Sequence, residues 1–119
     1  MSAFTLLFLL SAHFVADFVL QTDWQAKNKS TNWTALHRHV MVYATVLGVA
    51  VSFMGLSAAD CVGFWSLTYC THFVTDAITS RINSRLWQQG RVHGFFVGVG
   101  ADQLIHAWTL TLTWLCLHP

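Results

Sequence analysis

One stretch of the sequence decides the fold: FTLLFLLSAHFVADFVLQ, residues 4–21. It is almost wholly apolar, and only His13 and Asp17 interrupt it with ionisable groups. A helix needs about 20 such residues to cross the hydrocarbon core of a bilayer. Three more stretches of similar length and character follow it, at residues 36–56, 61–80 and 95–117. The chain is therefore predicted to be all-α, with a single transmembrane domain over residues 1–119 built as a bundle of four transmembrane helices.

The composition leads to the same prediction. Hydrophobic residues make up 55% of the 119 residues and charged residues only 9%, against roughly 25% in ordinary soluble domains. A soluble domain of this size could not cover its surface with so few charges, so the lipid bilayer is expected to be part of its solvent. The formal net charge of +1 indicates no nucleic-acid partner.

The basic residues indicate how the bundle is oriented. All of them lie in or beside the first and third connecting segments, 22–35 and 81–94; they are Lys27, Lys29, Arg38, Arg81, Arg85 and Arg91. A four-span chain places these two segments on one side of the membrane. The positive-inside rule then puts both segments in the cytoplasm and both termini outside. Four tryptophans fall near the predicted interfaces, as an aromatic belt requires: Trp24, Trp33, Trp87 and Trp114.

Ionisable side chains inside the predicted spans need a physical reason, because such groups are costly in hydrocarbon. Three spans contain a His and an Asp four residues apart, which places both on one helix face. The second span adds one histidine. All of these side chains fall in the cytoplasmic half of the bundle, within ~12 Å of depth at ~1.5 Å per residue. The set is His13, Asp17, His39, His72, Asp76, Asp102 and His106.

This combination of ligands predicts a metal site. Imidazole and carboxylate together suit zinc, iron, manganese, nickel or cobalt better than calcium or magnesium. All seven residues are candidate ligands, which exceeds the four of one zinc ion. The cluster therefore suits two ions bridged by a carboxylate, or one ion whose histidines are oriented by aspartates. We expect one or two divalent ions, with zinc first and manganese or iron as alternatives. A proton relay, a metal-free substrate site and hydrogen bonds that only hold helices together stay open.

Four segments around these side chains form a pattern of their own. They are AHFVADFVLQTDW at residues 12–24, LHRHV at 36–40, THFVTD at 71–76 and DQLIH at 102–106. In this order they resemble the small bacterial and phage membrane proteins grouped as domain-of-unknown-function family 3307. The resemblance covers nearly the whole chain and implies a multi-pass protein of a bacterial inner membrane. That family carries no settled activity, so the resemblance implies a fold and a site but no reaction.

A looser resemblance concerns the third span alone. His72, Asp76 and Thr79 are similar to the His-xxx-Asp helix motif of the LexA-regulated inner-membrane metal-dependent hydrolases. The other His-rich loop motifs of that group are absent from this sequence. The resemblance therefore implies hydrolase chemistry by analogy, and Asp76 as a metal ligand.

The leading functional hypothesis is a membrane-embedded metal-dependent hydrolase. A water activated by the metal would be the nucleophile, and Asp17 or Asp102 would be the catalytic base. A site near the cytoplasmic interface suits a lipid-linked ester or phosphate, or a membrane peptide. One alternative is a transporter or channel for divalent metal or protons, which would need a homo-oligomer to supply an inverted repeat. Another is a non-enzymatic membrane interaction protein with a structural metal.

Overall fold

The computed structural model describes residues 1–118, which form helices joined by short turns and contain no strand. The elements are α1 (Ala3–Phe14), a π-helical turn (Val15–Val19), α2 (Asp23–Asn28), α3 (Trp33–Ser52), α4 (Ala58–Gln88) and α5 (Val92–Leu117). The predicted all-α class is therefore confirmed. Among the helices of residues 1–118, α3 is the one that is both long and apolar enough to cross a membrane.

Side-chain caps fix where four of these helices begin. At the start of α1 the Ser2 hydroxyl oxygen accepts a hydrogen bond from the Thr5 N–H. Thr22 accepts a hydrogen bond from the Gln25 backbone N–H while the Gln25 side chain accepts from the Thr22 backbone N–H, a capping box at the start of α2. Asn32 caps α3 and Ser57 caps α4 in the same way, each through its side-chain oxygen. The first connecting segment thus contains a helical turn, although it was predicted only as a connection.

Helix α4 is longer than the sequence predicted. Residues 81–94 were expected to connect two spans, but the helix continues to Gln88 because residues 81–89 contain neither glycine nor proline. Gly90 then adopts a φ of 67°, and the Arg91 N–H donates to the Leu86 carbonyl at 3.0 Å, which closes a Schellman motif. At ~1.5 Å per residue, α4 spans the whole 46 Å length of the molecule.

The interior has two regions that share the same helices. Helix α4 packs against α3 and α5, and α1 packs against both α3 and α5. Towards one end lies the apolar core, made of Leu9, Ala16, Tyr43, Leu47, Val51, Phe64, Leu110 and Trp114. Next to it lies the His/Asp layer, made of the seven residues that were predicted as metal ligands.

Trp114 corrects one of the interface predictions. Its side chain is buried in the apolar core and meets the Phe64 ring edge-on, with 6.5 Å between the ring centroids. The reason is helical register: Leu110, one turn earlier on α5, faces the same core. Trp24, Trp33 and Trp87 are exposed, as a position in an aromatic belt requires.

Candidate metal centre

The π-helical turn sets the position of Asp17. A π-helix closes its hydrogen bonds over five residues, as the Leu20 N–H does to the Val15 carbonyl at 2.9 Å. The turn widens the helix by one residue directly after α1 and directs the buried Asp17 carboxylate between α3 and α4. Such turns occur often at functional sites.

Four buried side chains from three parts of the chain meet beside this turn. They are Asp17, His39 from α3, and His72 and Asp76 from α4, and one ligand atom from each lies within 4.8 Å of the others. The two imidazole Nε2 atoms are 3.1 Å apart. Asp17 Oδ1 lies 3.0 Å from the His39 nitrogen and 3.5 Å from the His72 nitrogen. Asp76 Oδ2 lies 3.3 Å and 3.5 Å from the same two atoms. We call this set the four-ligand group.

The spacing within the four-ligand group fits a tetrahedral ion. Zinc binds imidazole nitrogen and carboxylate oxygen at about 2.0–2.2 Å, which separates neighbouring ligands of a tetrahedron by about 3.3–3.6 Å. Five distances within the group involve an imidazole nitrogen: one joins the two Nε2 atoms, and four join an Nε2 atom to a carboxylate oxygen. These distances run from 3.0 to 3.5 Å. Two histidines and two aspartates are also a ligand set that zinc, iron or manganese accepts. The residues present therefore suit a divalent ion in both chemistry and geometry.

A second group adjoins the first. Asp17, Asp102 and His106 also bring one ligand atom each within 4.8 Å of one another. Asp76 belongs to both neighbourhoods, since its Oδ2 faces the four-ligand group while its Oδ1 lies 3.0 Å from His106 Nε2. Asp17 and Asp76 are thus placed as carboxylate bridges between two adjacent positions.

Stacking fixes the ring of His72. Its imidazole lies between the Tyr43 phenol and the His106 imidazole, with centroid separations of 3.7 Å and 4.1 Å and interplanar angles of 23° and 20°. A ring held on both faces cannot turn without disturbing both neighbours. The direction of the His72 Nε2 lone pair is therefore set by the packing of α3 and α5 against α4.

His13 lies beside both groups but belongs to neither. Its Nδ1 is 2.7 Å from the Tyr43 hydroxyl, and its Nε2 is 2.8 Å from Gln103 Oε1. The Gln103 amide nitrogen donates to Asp17 Oδ2 at 3.0 Å, which fixes the orientation of that amide. His13 Nε2–H must then donate to Gln103 Oε1, and the Tyr43 hydroxyl donates to His13 Nδ1. This hydrogen-bond chain orients Asp17 from behind, as supporting residues do at metal sites.

Lys29 is a member of the site that the pattern of intramembrane residues did not include. It follows α2, and its ammonium group donates to Asp76 Oδ2 at 2.8 Å. Burial lowers the pKa of this lysine, but the Asp76 carboxylate outweighs that effect and leaves the pKa raised above its ordinary value. The connecting segment is thereby tied to the centre of α4. Its position five residues after the end of the AHFVADFVLQTDW segment was the available sequence signal.

Asp102 is the most accessible carboxylate of the layer. Its side chain is 13% exposed, against 4% for Asp17 and 2% for Asp76. The Thr79 hydroxyl donates to its Oδ1, and the Gln103 amide donates to its Oδ2 at 3.1 Å. All three carboxylates line a cavity of about 610 Å³ that opens between the end of α1, the α2 segment, α4 and α5. A small molecule in this cavity would reach Asp102 directly.

Comparison with known proteins identifies one family. A family model described as a protein of unknown function (DUF3307) matches residues 5–118. No curated protein and no solved structure matches the chain.

Proposed function

Since the chain belongs to the DUF3307 family, whose description assigns no function, we propose its function from the site itself. The protein is a membrane-embedded, metal-dependent hydrolase. Its four long helical segments cross a bacterial inner membrane, and its His/Asp layer lies in the cytoplasmic half. The observation that carries the proposal is the four-ligand group, in which one nitrogen from each of two imidazoles and one oxygen from each of two carboxylates lie within 4.8 Å of one another.

The distribution of polar and apolar side chains supports the membrane placement. Large apolar side chains lie on the outside of α1, α3, α4 and α5, for example Phe4 on α1 at 72% exposure and Val62 on α4 at 66%. The buried residues include ten polar or charged ones beside twelve hydrophobic ones. Water would oppose such an arrangement, while lipid favours apolar side chains outside and paired polar side chains inside.

Aromatic and basic side chains support the proposed orientation. The Arg81 guanidinium lies 4.3 Å above the Trp33 ring, and Arg38 lies 5.6 Å from the Trp24 ring. Tryptophan with arginine is typical of a membrane–water interface, and arginine is typical of its cytoplasmic side. The end of α4 that carries Arg81 and Arg85 would then project beyond the ~30 Å hydrocarbon core.

The geometry suggests different roles for the carboxylates. A divalent ion in the four-ligand group would polarise a substrate oxygen and activate water. Asp76 and Asp17 would hold the ion, and Asp17 would also link it to the second group. Asp102 is best placed as the general base, because it is the carboxylate most open to the cavity and Thr79 and Gln103 fix its two oxygens.

The apolar core argues against transport across the bundle. Beyond the His/Asp layer the interior is filled by Leu9, Leu47, Phe64 and Leu110, all of them buried. A path for a metal ion or proton would need polar groups or water through this half. The cavity, by contrast, would give a substrate access to the three carboxylates of the His/Asp layer.

Metal analysis and turnover test the proposal together. We expect detergent-purified protein to hold about one or two divalent ions per chain and to lose them after His72→Ala, while His93→Ala, at an exposed histidine, retains them. Asp102→Asn should keep the metal and lose hydrolysis of lipid phosphate esters, lipid carboxyl esters or membrane peptides. A wild-type chain that takes up no metal would contradict the metal site, and a metal-loaded chain without turnover on any of the three classes would contradict the enzyme.

Cysteine accessibility tests the orientation. In a variant without the native cysteines, single cysteines at Asn32 and Gln89 should react with an impermeant reagent only after the cells are opened. Both positions lie at the end of the bundle that we place in the cytoplasm. Labelling of both from outside intact cells would reverse the orientation.

A further inference from the structure

The cavity beside the His/Asp layer has the size and chemistry of a ligand site. Its volume of about 610 Å³ lies within the range of small-molecule pockets. The three carboxylates of the layer form one end of it. The other residues that line the cavity are not needed to hold an ion. Their presence therefore needs a separate explanation.

Some residues of the cavity lining carry polar atoms without a hydrogen-bond partner. Among the residues that the structure describes, five buried side-chain oxygen or nitrogen atoms have no hydrogen-bond partner, and three of them belong to the cavity lining: Gln21 Oε1, Ser80 Oγ and Asn83 Oδ1. A buried polar atom without a partner costs about 1–3 kcal/mol. The Asn83 oxygen lies against Gly98 of α5, so Gln21 and Ser80 are the two side chains left for a ligand. The Gln21 amide can present its NH₂ group instead after a half turn, and a ligand with several oxygen atoms would then satisfy both side chains.

The charges of the lining favour an anion once the metal is bound. Lys27 and Lys29 line the cavity together with the three carboxylates, which outnumber the ammonium groups by one. A divalent ion in the four-ligand group reverses the balance to one positive charge. Lysine ammonium groups and hydroxyl and amide donors around a metal are typical of phosphate recognition. Lys29 already pairs with Asp76, and a neutral carboxyl ester would offer no charge to match Lys27.

Part of the cavity wall is apolar. Phe18 on the π-helical turn and Phe95, Phe96 and Val99 on α5 form this part. Phe18 and Phe96 are 46% and 64% exposed, so they line the opening as well. In the proposed placement this opening faces lipid near the cytoplasmic interface. An acyl chain could leave the cavity between these two rings and remain in the bilayer.

We propose that the cavity binds the head group of a phosphate-bearing amphiphile, a phosphate ester of a lipid alcohol, and that this compound is the substrate. The proposal rests on the hydrolase function above. In the reaction the oxygen of water bonds to phosphorus, and the P–O bond to the lipid alcohol breaks. Asp102 takes a proton from the attacking water and returns it to the oxygen of the leaving alcohol. The products are the free lipid alcohol and inorganic phosphate, or a phosphomonoester if the substrate is a diester.

Binding measurements on the metal-loaded protein in detergent test the head-group contacts. The probes are dioctanoyl phosphatidic acid, inorganic phosphate and neutral dioctanoylglycerol. We expect Lys27→Gln to weaken binding of the lipid phosphate about tenfold, while Arg85→Gln, which removes a charge on exposed α4 outside the cavity, leaves it unchanged. Equal losses in the two variants would mean that only general surface charge attracts the lipid, and would overturn the proposal.

A second pair of variants tests the tail. Phe96→Ala should weaken binding of the lipid phosphate but not of inorganic phosphate, and Val97→Ala, at an exposed neighbour outside the lining, should affect neither. Inorganic phosphate bound as tightly as the lipid phosphate would show that the apolar walls contribute nothing and would overturn the amphiphile.

Turnover distinguishes this proposal from the one on which it rests. Release of phosphate from the lipid phosphate, absent in Asp102→Asn, supports both. Hydrolysis of lipid carboxyl esters without hydrolysis of the phosphate would overturn the substrate class and leave the hydrolase intact. Selective binding of the lipid phosphate by a chain that takes up no metal and hydrolyses nothing would support the binding site and overturn the hydrolase.

Discussion

The apolar core and the His/Asp layer are built on the same helices and are both largely buried, yet they depend on different physics. In the apolar core, burial of surface is itself favourable and imposes little direction on each side chain. In the layer, each charge is stable only while its partners stay in place. The comparison teaches that fold and site are separated along the length of the bundle, so that a substitution can damage one region and spare the other.

Among substitutions in the His/Asp layer, removal of the Asp76 carboxylate should have the largest effect on stability and metal binding. This carboxylate accepts from Lys29 and lies within 3.5 Å of His39, His72 and His106. Asp76→Ala should lower the free energy of unfolding by about 3–5 kcal/mol and abolish metal binding. Denaturation in mixed detergent and metal analysis would measure the two effects. Asp76→Asn keeps the volume and should still lose the metal; an Asn variant with full metal content would contradict Asp76 as a ligand.

An equivalent truncation in the apolar core should separate stability from metal binding. Leu47 is fully buried, and Leu47→Ala should cost about 2–5 kcal/mol through lost burial and the cavity left behind. The folded variant should still bind the wild-type amount of metal. Loss of metal from folded Leu47→Ala would show that the two regions are coupled more tightly than their geometry indicates.

Tyr43 contacts both the apolar core and the His/Asp layer, and its substitution should have the smallest effect on the free energy of unfolding. Its ring packs in the apolar core, and its hydroxyl lies 2.7 Å from His13 Nδ1. Tyr43→Phe keeps the packing and removes one buried hydrogen bond, at a cost of about 1–2 kcal/mol. Tyr69→Phe is the matched control, because its hydroxyl makes the same 2.7 Å contact with His37 in an exposed position. Thermal unfolding should show the smaller loss for Tyr69→Phe.

The positions of the candidate ligands were largely predictable because helical periodicity converts sequence spacing into position. His72 and Asp76 are one turn apart, so they share a helix face, and polar side chains on otherwise apolar helices favour packing of those faces against one another. Six of the seven predicted residues lie in the two candidate metal groups. His13 does not, because the orientation of the Gln103 amide and the Tyr43 hydroxyl decide where its nitrogens bond, and such details depend on packing across helices.

Other features depend on packing over distance or on local geometry that composition does not reveal. The π-helical turn at Asp17 differs from an α-helical turn by a single residue, and its segment VADFV reads as ordinary apolar helix. Lys29 reaches Asp76 from a connecting segment, where helical spacing predicts nothing. The length of α4 was not predicted, because the arginines that follow residue 80 were interpreted as part of a connecting segment. Outside hydrocarbon, however, charged residues such as arginine favour continuation of a helix.

The wide sequence separation within the His/Asp layer has a consequence for biosynthesis. His13 and Asp17 on the first helical segment are bonded to Gln103, 90 and 86 residues later in the chain. In a membrane, the ribosome would deliver the first segment long before the last one exists. Until then both groups lack their final partners, a state that costs several kcal/mol in lipid. We therefore expect the nascent chain to stay beside the insertion machinery until α5 arrives, so that synthesis of the last helix is the step that releases the protein into the bilayer.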